Sequence, residues 1–274
     1  MKPVSLDDLI APIQLGTLLA IPPDYSGVSI AATRALIRRG MGGLRLVAVP
    51  TSGLQADLLI GAGLVEELEA AAVLLGELGP APRFAAAVTS GRLRMKDTTC
   101  PALHAALQAT EKGVPFMPLR GLIGSDVQKN RPDWKIAENP FAPEGTRDPI
   151  VFLPAIRPDV ALFHATKADC EGNVWIGRRR ELVTMAHAAK RTIVTVEEIV
   201  EGSLLADEAS AAGVLPSIYV SAVAEAKQGA WPLGLQDLYT VDDAEIARYA
   251  EAARTEAGFR DWLGRFMDGR KAAA

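Results

Sequence analysis

LGTLLAIPPDYSGVSIAATRALIRRG, residues 15–40, decides the fold. Its first part, 15–21, is a short apolar run of strand character, and its last part, 29–40, repeats apolar residues at helical spacing up to Gly40. Between them lies IPPDYSG, 21–27. Pro22 and Pro23 lack the N–H that a central strand needs, so the strand stops there. Asp24 and Ser26 can each accept a backbone N–H at a helix start, which gives the turn a local role. A strand-to-helix turn in an α/β protein is also where ligands gather, which gives it a functional one. Both readings stay open on this stretch alone.

The same rhythm continues in both directions. Residues 44–50 read as a strand, 54–63 as a helix, and 70–76 as an extended run whose alanines leave it ambiguous. A helix over 82–91, a strand over 92–97 and a helix over 101–113 follow, the last with Pro101 in its first turn, and 114–121 returns to extended chain. Residues 124–148 break the pattern: they are polar, rich in Pro and Asn, and long for a connection, which fits a functional loop or a surface excursion equally. The strands then resume at 148–156, 159–165, 173–177 and 192–200, with a helix at 179–191 and a polar turn inside 159–177. The alternation predicts an α/β fold, a mainly parallel open sheet with helices on both faces. It is read as one domain over 1–274, with a small helical cap at 243–268.

Composition narrows the function. The chain has 274 residues, 49% of them hydrophobic and 23% charged, enough for a large core. A net charge of −4 gives no reason to expect nucleic acid or an anionic membrane surface as partner. No apolar run reaches membrane-spanning length, and the first 20 residues lack the order of a signal peptide, so a cytoplasmic location is expected. Two cysteines and three histidines without ligand spacing argue against a metal site and a disulfide scaffold.

Several residues carry chemistry. Cys100 precedes Pro101 at a helix start, where the helix dipole favours thiolate, and His104 lies one turn on; the pair suits nucleophilic catalysis, or is a packed cysteine and histidine. Arg120 ends an extended run and can grip a carboxylate or a phosphate, or form a surface ion pair. Gly124 and Ser125 offer backbone donors and a hydroxyl beside it, or a helix cap. Asp169, Gly172 and Asn173 are explained fully by a tight turn. Arg178, Arg179 and Arg180 can meet a phosphate or simply begin a solvated helix. Glu197 and Glu198 stand at a strand end where α/β ligands gather, or pair with lysines.

The order of motifs resembles a known family. ALIRRG (35–40), ADLLIGAGLVEELEAA (56–71), PRFAAAVTSG (82–91), GVPFMPLRGLIGSD (113–126), PAIRPDVALFHATKADCEGNVWIG (154–177) and IVTVEEIV (193–200) together resemble the α subunit of class I CoA-transferases, especially the glutaconate type. The resemblance implies an open sheet with helices, an αβ pair that is often doubled, and chemistry on acyl-CoA thioesters, with coenzyme A arriving as part of the substrate and no cofactor permanently bound. It implies a partner, a β-subunit-like chain of the same family carrying the nucleophilic glutamate in a Ser-Glu-Asn-Gly-like motif that these 274 residues lack. It also places Tyr25, Ser26, Gly27, Ser52, Gly53, Arg120, Gly124 and Ser125 around the acyl group.

Two departures bear on the chemistry. Where the family carries a Gly-Gly-Phe turn, this chain has Pro22-Pro23-Asp24, which loses backbone donors and gains a carboxyl. A related family hydrolyses C–C bonds of ring-containing CoA thioesters and places an α-subunit glutamate near position 100, where this chain has Cys100. The reading is therefore a CoA-transferase α subunit with Asp24, Cys100 and His104 as catalytic candidates. The alternatives are a CoA-thioester hydrolase of the ring-cleaving type and a non-catalytic structural subunit.

Overall fold

The computed structural model describes residues 2–268. Strands β1 (Leu18–Ile21), β2 (Leu44–Ala48), β3 (Val65–Ala70) and β4 (Arg94–Asp97) lie side by side, all parallel. On the other side of β1 come β8 (Val160–Asp169), β10 (Arg191–Val200) and β12 (Ala222–Glu225), again parallel. The intervening strands β5 (Phe116–Leu119), β6 (Lys135–Glu138) and β7 (Pro149–Pro154) form a separate antiparallel sheet, ordered β5-β7-β6. Past the point where β1 ends, β8 runs on and pairs with β9 (Val174–Trp175), which pairs in turn with β11 (Val214–Leu215), both antiparallel. The chain leaves β1 toward β2 on one side and returns to its other side only with β8. The boundary between β1 and β8 is therefore the topological switch point of the sheet.

Alternation along β1 assigns the two faces. Leu19 and Ile21 pack with α1 (Leu6–Ile10), α2 (Ile30–Arg39), α3 (Leu54–Gly61) and α4 (Pro82–Thr89) in one core. Ala20 packs with α5 (Cys100–Glu111) and α7 (Arg180–Ala188) in the other. A strand buried on both faces reads as an unbroken apolar run, as 18–21 does. Each fully buried aliphatic side chain contributes about 1.5–3 kcal/mol. A single turn of helix, α8 (Glu208–Ala211), leads into β11. Helices α9 (Asp243–Ala252) and α10 (Glu256–Asp268) join the first core through Ile246, Tyr249, Phe259, Trp262 and Phe266. The expected cap over 243–268 is thus a helical pair built into the main core. Among the described residues, no helix is long and apolar enough to cross a membrane.

The structure corrects three element assignments. The third strand is Val65–Ala70, not 70–76. Its acidic run, Glu66 to Glu69, hides it from an apolar pattern. Those charges are met across the sheet and beyond it, Glu67 by Arg94 (2.7 Å) and Lys96 (3.2 Å) and Glu69 by Arg131 (2.8 Å). Residues 124–148 contain α6 (Asp126–Lys129) and β6 rather than one long connection. The run 148–156 does not resume the parallel sheet but supplies β7, the middle strand of the small one. Buried Arg131 seats this excursion on the main sheet: it bonds Glu69 of β3 and the Asp97 carbonyl (3.0 Å) at the end of β4, and lies under the Trp134 ring.

Candidate active site at the sheet switch point

The turn after β1 leaves the C-terminal edge of the sheet at the switch point. Ser26 N–H closes it on the Pro23 carbonyl at 2.9 Å, and Gly27 crosses onto β8, where its carbonyl accepts the His164 N–H at 2.7 Å. Gly27 has φ +80, and a Cβ there would stand 2.0 Å from the His164 carbonyl oxygen, so no other residue fits the crossing. Helix α2 is capped by Ser29, whose Oγ accepts the Ala32 N–H. The expected local role of Asp24 or Ser26 as caps of this helix is thereby corrected: both side chains point to other elements.

Asp24 reaches across to the next strand end. Its Oδ2 accepts the Leu54 N–H at 2.9 Å, capping α3, whose own N-cap is Gly53 and has no side chain to offer. Its Oδ1 is buried without a hydrogen-bond partner among the described residues. Burial raises the carboxyl to a pKa of about 7, against the lowering effect of the Leu54 and Gly53 N–H groups. Ser52, next to Gly53, is also buried, and its hydroxyl has no partner among the described residues. This corner of the sheet therefore holds a carboxyl poised near neutrality and two polar atoms with open valences.

On the other flank the turn meets α5 and α7. Ser26 Oγ donates to Glu181 Oε1. Exposed Tyr25 lies under the Arg179 guanidinium, 5.3 Å from its ring centroid. Partial desolvation of its hydroxyl raises the Tyr25 phenol, Glu181 adds to this and the Arg179 guanidinium opposes it, and Cys100 lies within electrostatic reach. Cys100 is the exposed first residue of α5, after the N-cap Thr99. His104 is half-buried, which lowers its pKa, and Glu181 opposes this. Tyr25, Ser26, Cys100 and His104, four of the residues singled out in the sequence, thus share one electrostatic neighbourhood. Glu181, which the sequence reading missed, is its hub. In the sequence it is only the acid after three arginines, a pattern shared by many solvated helix starts.

The remaining candidates sit elsewhere. Arg120 is at the end of β5, where both its terminal nitrogens bond Asp148. Ser125 caps α6 by accepting the Gln128 N–H at 3.2 Å, and Gly124 precedes it at φ +81. Asp169 and Asn173 form the tight turn expected of them, with Asp169 Oδ1 accepting the Glu171 and Asn173 N–H groups at 3.0 and 2.9 Å. Asp24 and Tyr25 open onto a groove of about 920 Å³ walled also by Arg179, Asp237, Tyr239 and Asp243. A smaller cleft of about 70 Å³ lies behind it, against Ser26, His164 and Thr166.

Comparison with known proteins agrees with this architecture. The chain is 35% identical over 251 residues to a 3-oxoadipate CoA-transferase subunit of Pseudomonas knackmussii, covering 89% of this chain and 85% of that protein. It is 30% identical over 281 residues to a cholesterol ring-cleaving hydrolase IpdA subunit of Mycobacterium tuberculosis, covering 99% and 94%. It is 34% identical to an uncharacterized protein of Archaeoglobus fulgidus, covering 88% of this chain but only 53% of that longer protein. Among solved structures, glutaconate coenzyme A-transferase of Acidaminococcus fermentans superposes with a TM-score of 0.87 at 26% identity, over 100% of this chain and 93% of that one. A variant of the decarboxylase AibA/AibB superposes with a TM-score of 0.83 at 30% identity, over 97% and 98%. The family description of coenzyme A transferases matches residues 24–226, beginning at Asp24 itself, and the chain belongs to that family.

Proposed function

We propose that this chain is the α subunit of a two-subunit enzyme acting on acyl-CoA thioesters, and that its reaction is CoA transfer between carboxylic acids. A β-subunit-like partner supplies the nucleophilic glutamate, which carries CoA as a glutamyl thioester between donor and acceptor acids. Coenzyme A enters as substrate rather than as a resident cofactor. The observation that carries this reading is the position of the turn 22–27 at the switch point of the sheet, facing an open groove rather than an enclosed cavity. Such a groove is one wall of a site that a second chain completes. Tyr25, Ser26, Gly27, Ser52 and Gly53 form this chain's side of the acyl pocket. Arg120, Gly124 and Ser125 lie apart from this groove, and in this reading they meet the distal part of the substrate, with Arg120 exchanging Asp148 for an incoming carboxylate or phosphate.

A second reading, hydrolytic cleavage of a CoA thioester of the ring-cleaving kind, is favoured by one observation. A carboxyl with a pKa of about 7 is suited to move a proton at neutral pH, and transfer between carboxylates does not call for one. In that reading Asp24 is the base acting on water or on a C–H beside a carbonyl, with Cys100 and His104 on the opposite flank of the turn. A structural subunit without catalytic residues is the third reading.

Co-expression with a β-subunit-like chain of the same family, followed by an acyl-CoA exchange screen, tests the proposal. Exchange of CoA between acids by the complex, and none by this chain alone, supports transfer. Robust exchange by the single chain overturns the two-subunit reading. Release of free CoA or a carbon–carbon cleavage product without exchange assigns the hydrolase.

A further inference from the structure

Glu197 of β10 lies behind the site, buried and outside the chemistry described above. Its Oε1 accepts His164 Nε2 at 2.9 Å, the Tyr239 hydroxyl at 2.7 Å and the Gly229 N–H at 3.0 Å. Its Oε2 accepts the Gln228 N–H at 2.7 Å. Burial alone would raise the carboxyl, but the bonds from His164, Tyr239 and Gln228 outweigh it and hold the group at about 2. The acid is thus ionised at every working pH and saturated with donors.

Three of those donors belong to one segment, 228–239. It is stapled at both ends to the same carboxylate, and the Tyr239 hydroxyl also accepts the Ala230 N–H at 3.1 Å. Gln228 and Asp237 have φ of 49 and 66, a conformation that non-glycine residues adopt only where tertiary contacts impose it. A Cβ on Gly229 would stand 2.4 Å from His164 Cε1, so the segment lies flat on the imidazole. The other ring nitrogen, Nδ1, meets Thr195 Oγ1 at 2.8 Å, and Thr195 meets Ser29, the cap of α2, at 2.7 Å. On its backbone side His164 holds the Gly27 carbonyl. One residue, His164, therefore sets the register of the turn 24–27, and one acid, Glu197, sets the register of the segment 228–239 upon it. Leu235, Gln236 and Asp237 of that segment wall both the groove and the cleft.

We propose that Glu197 is a positioning residue that fixes the width of the substrate groove, and through it the acyl chain the site accepts. It acts by holding the wall 235–239 against the turn 24–27 and does not touch substrate. This rests on the proposed acyl-CoA function.

The test uses the co-expressed complex with Tyr239→Phe and Glu197→Gln. Tyr239→Phe removes one hydroxyl from the carboxylate; Glu197→Gln keeps one acceptor oxygen and sets an amide against a backbone N–H. Hydrogen exchange is expected to quicken at least tenfold over 228–241 and to stay unchanged over β1–β4. KM for acyl-CoA is expected to rise fivefold or more with kcat within twofold, and the preference between short and long acyl chains to shift. Exchange and KM unchanged in both variants overturn the proposal, and so does a fall in kcat at constant KM. If Glu197→Gln loosens the whole protein, Tyr239→Phe decides by the same readouts. A wild-type complex inert toward every acyl-CoA overturns the proposed function instead, and the positioning role then stands or falls on exchange over 228–241.

Discussion

The Asp24 carboxyl rests on the backbone of Gly53. A Cβ placed on Gly53 would stand 2.2 Å from Asp24 Oδ2 and 2.4 Å from the Leu74 carbonyl oxygen. Only a glycine at the N-cap of α3 lets the carboxyl from the turn after β1 drop onto the start of that helix. Gly53→Ala is expected to push the carboxyl out of this seat. Overpacking of this kind costs about 1–3 kcal/mol, a fall in Tm of roughly 2–10 °C for a chain of this size. Activity of the complex is expected to fall more steeply than stability. An alanine variant with wild-type Tm and wild-type turnover would show that the contact yields without consequence.

Asp24→Asn separates a base from a cap. Asn still offers an oxygen to the Leu54 N–H, but it cannot take a proton. The folded carboxyl holds its proton up to about pH 7, while an aspartate free of burial releases it near 3.8. As pH rises from about 4 to 7 the unfolded chain loses this proton and the folded one does not, so the side chain's contribution to stability declines over that window and is level above it. The Asn variant lacks the decline. It is expected to gain on wild type across pH 4–7, by a few kcal/mol at most, in denaturant titrations at each pH. As a base, Asp24 makes kcat/KM rise with pH to a plateau above about 7, and the Asn variant loses roughly 10²–10⁴-fold. Full activity of the variant at every pH assigns Asp24 to capping alone.

The parallel sheet was legible in the sequence because strands buried on both faces are short apolar runs; 18–21 is such a run, and 44–48 is one broken only by Arg45. The site's location was legible for a related reason: Pro22 and Pro23 end a strand unambiguously, so the turn had to lie at a sheet edge. Strand β3 was not legible, because its Glu67 and Glu69 are tolerated only through cations on β4 and at Arg131, which are distant in sequence. The role of Asp24 was misread for the same reason. Asp24 stands five residues before Ser29 and looks like a partner for α2, yet its acceptor is used 30 residues on, at Leu54. Glu181 and His164 carry no local pattern. Their roles arise where β8 and α7 fold back on the turn, and Glu197 was visible only as an acid at a strand end.

Cys100 and Cys170 are both exposed, which makes them a controlled pair. Cys100 opens the twelve-residue helix α5 one turn before His104, whereas Cys170 sits in the turn after β8. Thiol-labelling rates between pH 6 and 9 are expected to be several-fold faster at Cys100. The Cys100→Ser variant, which retains only Cys170, supplies the slow reference. Equal rates at the two sites would remove Cys100 from the catalytic candidates on reactivity grounds.

The C-terminal helices are tied to the sheet by Tyr249 and Asp57. The Tyr249 hydroxyl donates to Asp57 Oδ2 at 2.5 Å. Asp57 also accepts the N–H groups of Arg83 (3.2 Å) and Phe84 (2.6 Å), capping α4, whose own N-cap, Ala81, has no side chain to do so. Both residues are fully buried. Asp57→Ala strands two backbone donors and a phenol in the interior, at a cost of about 3 kcal/mol or more, since each unmet buried group costs about 1–3. Tyr249→Phe in the wild-type chain leaves Asp57 with two donors and costs about 1 kcal/mol. On the Asp57→Ala background the sign inverts. The phenol then has no acceptor, so removing its hydroxyl relieves a penalty, and the double variant is expected to be more stable than Asp57→Ala alone. Chemical denaturation of the four proteins closes the cycle. If Tyr249→Phe destabilises equally on both backgrounds, the hydroxyl draws its stability from packing and not from Asp57.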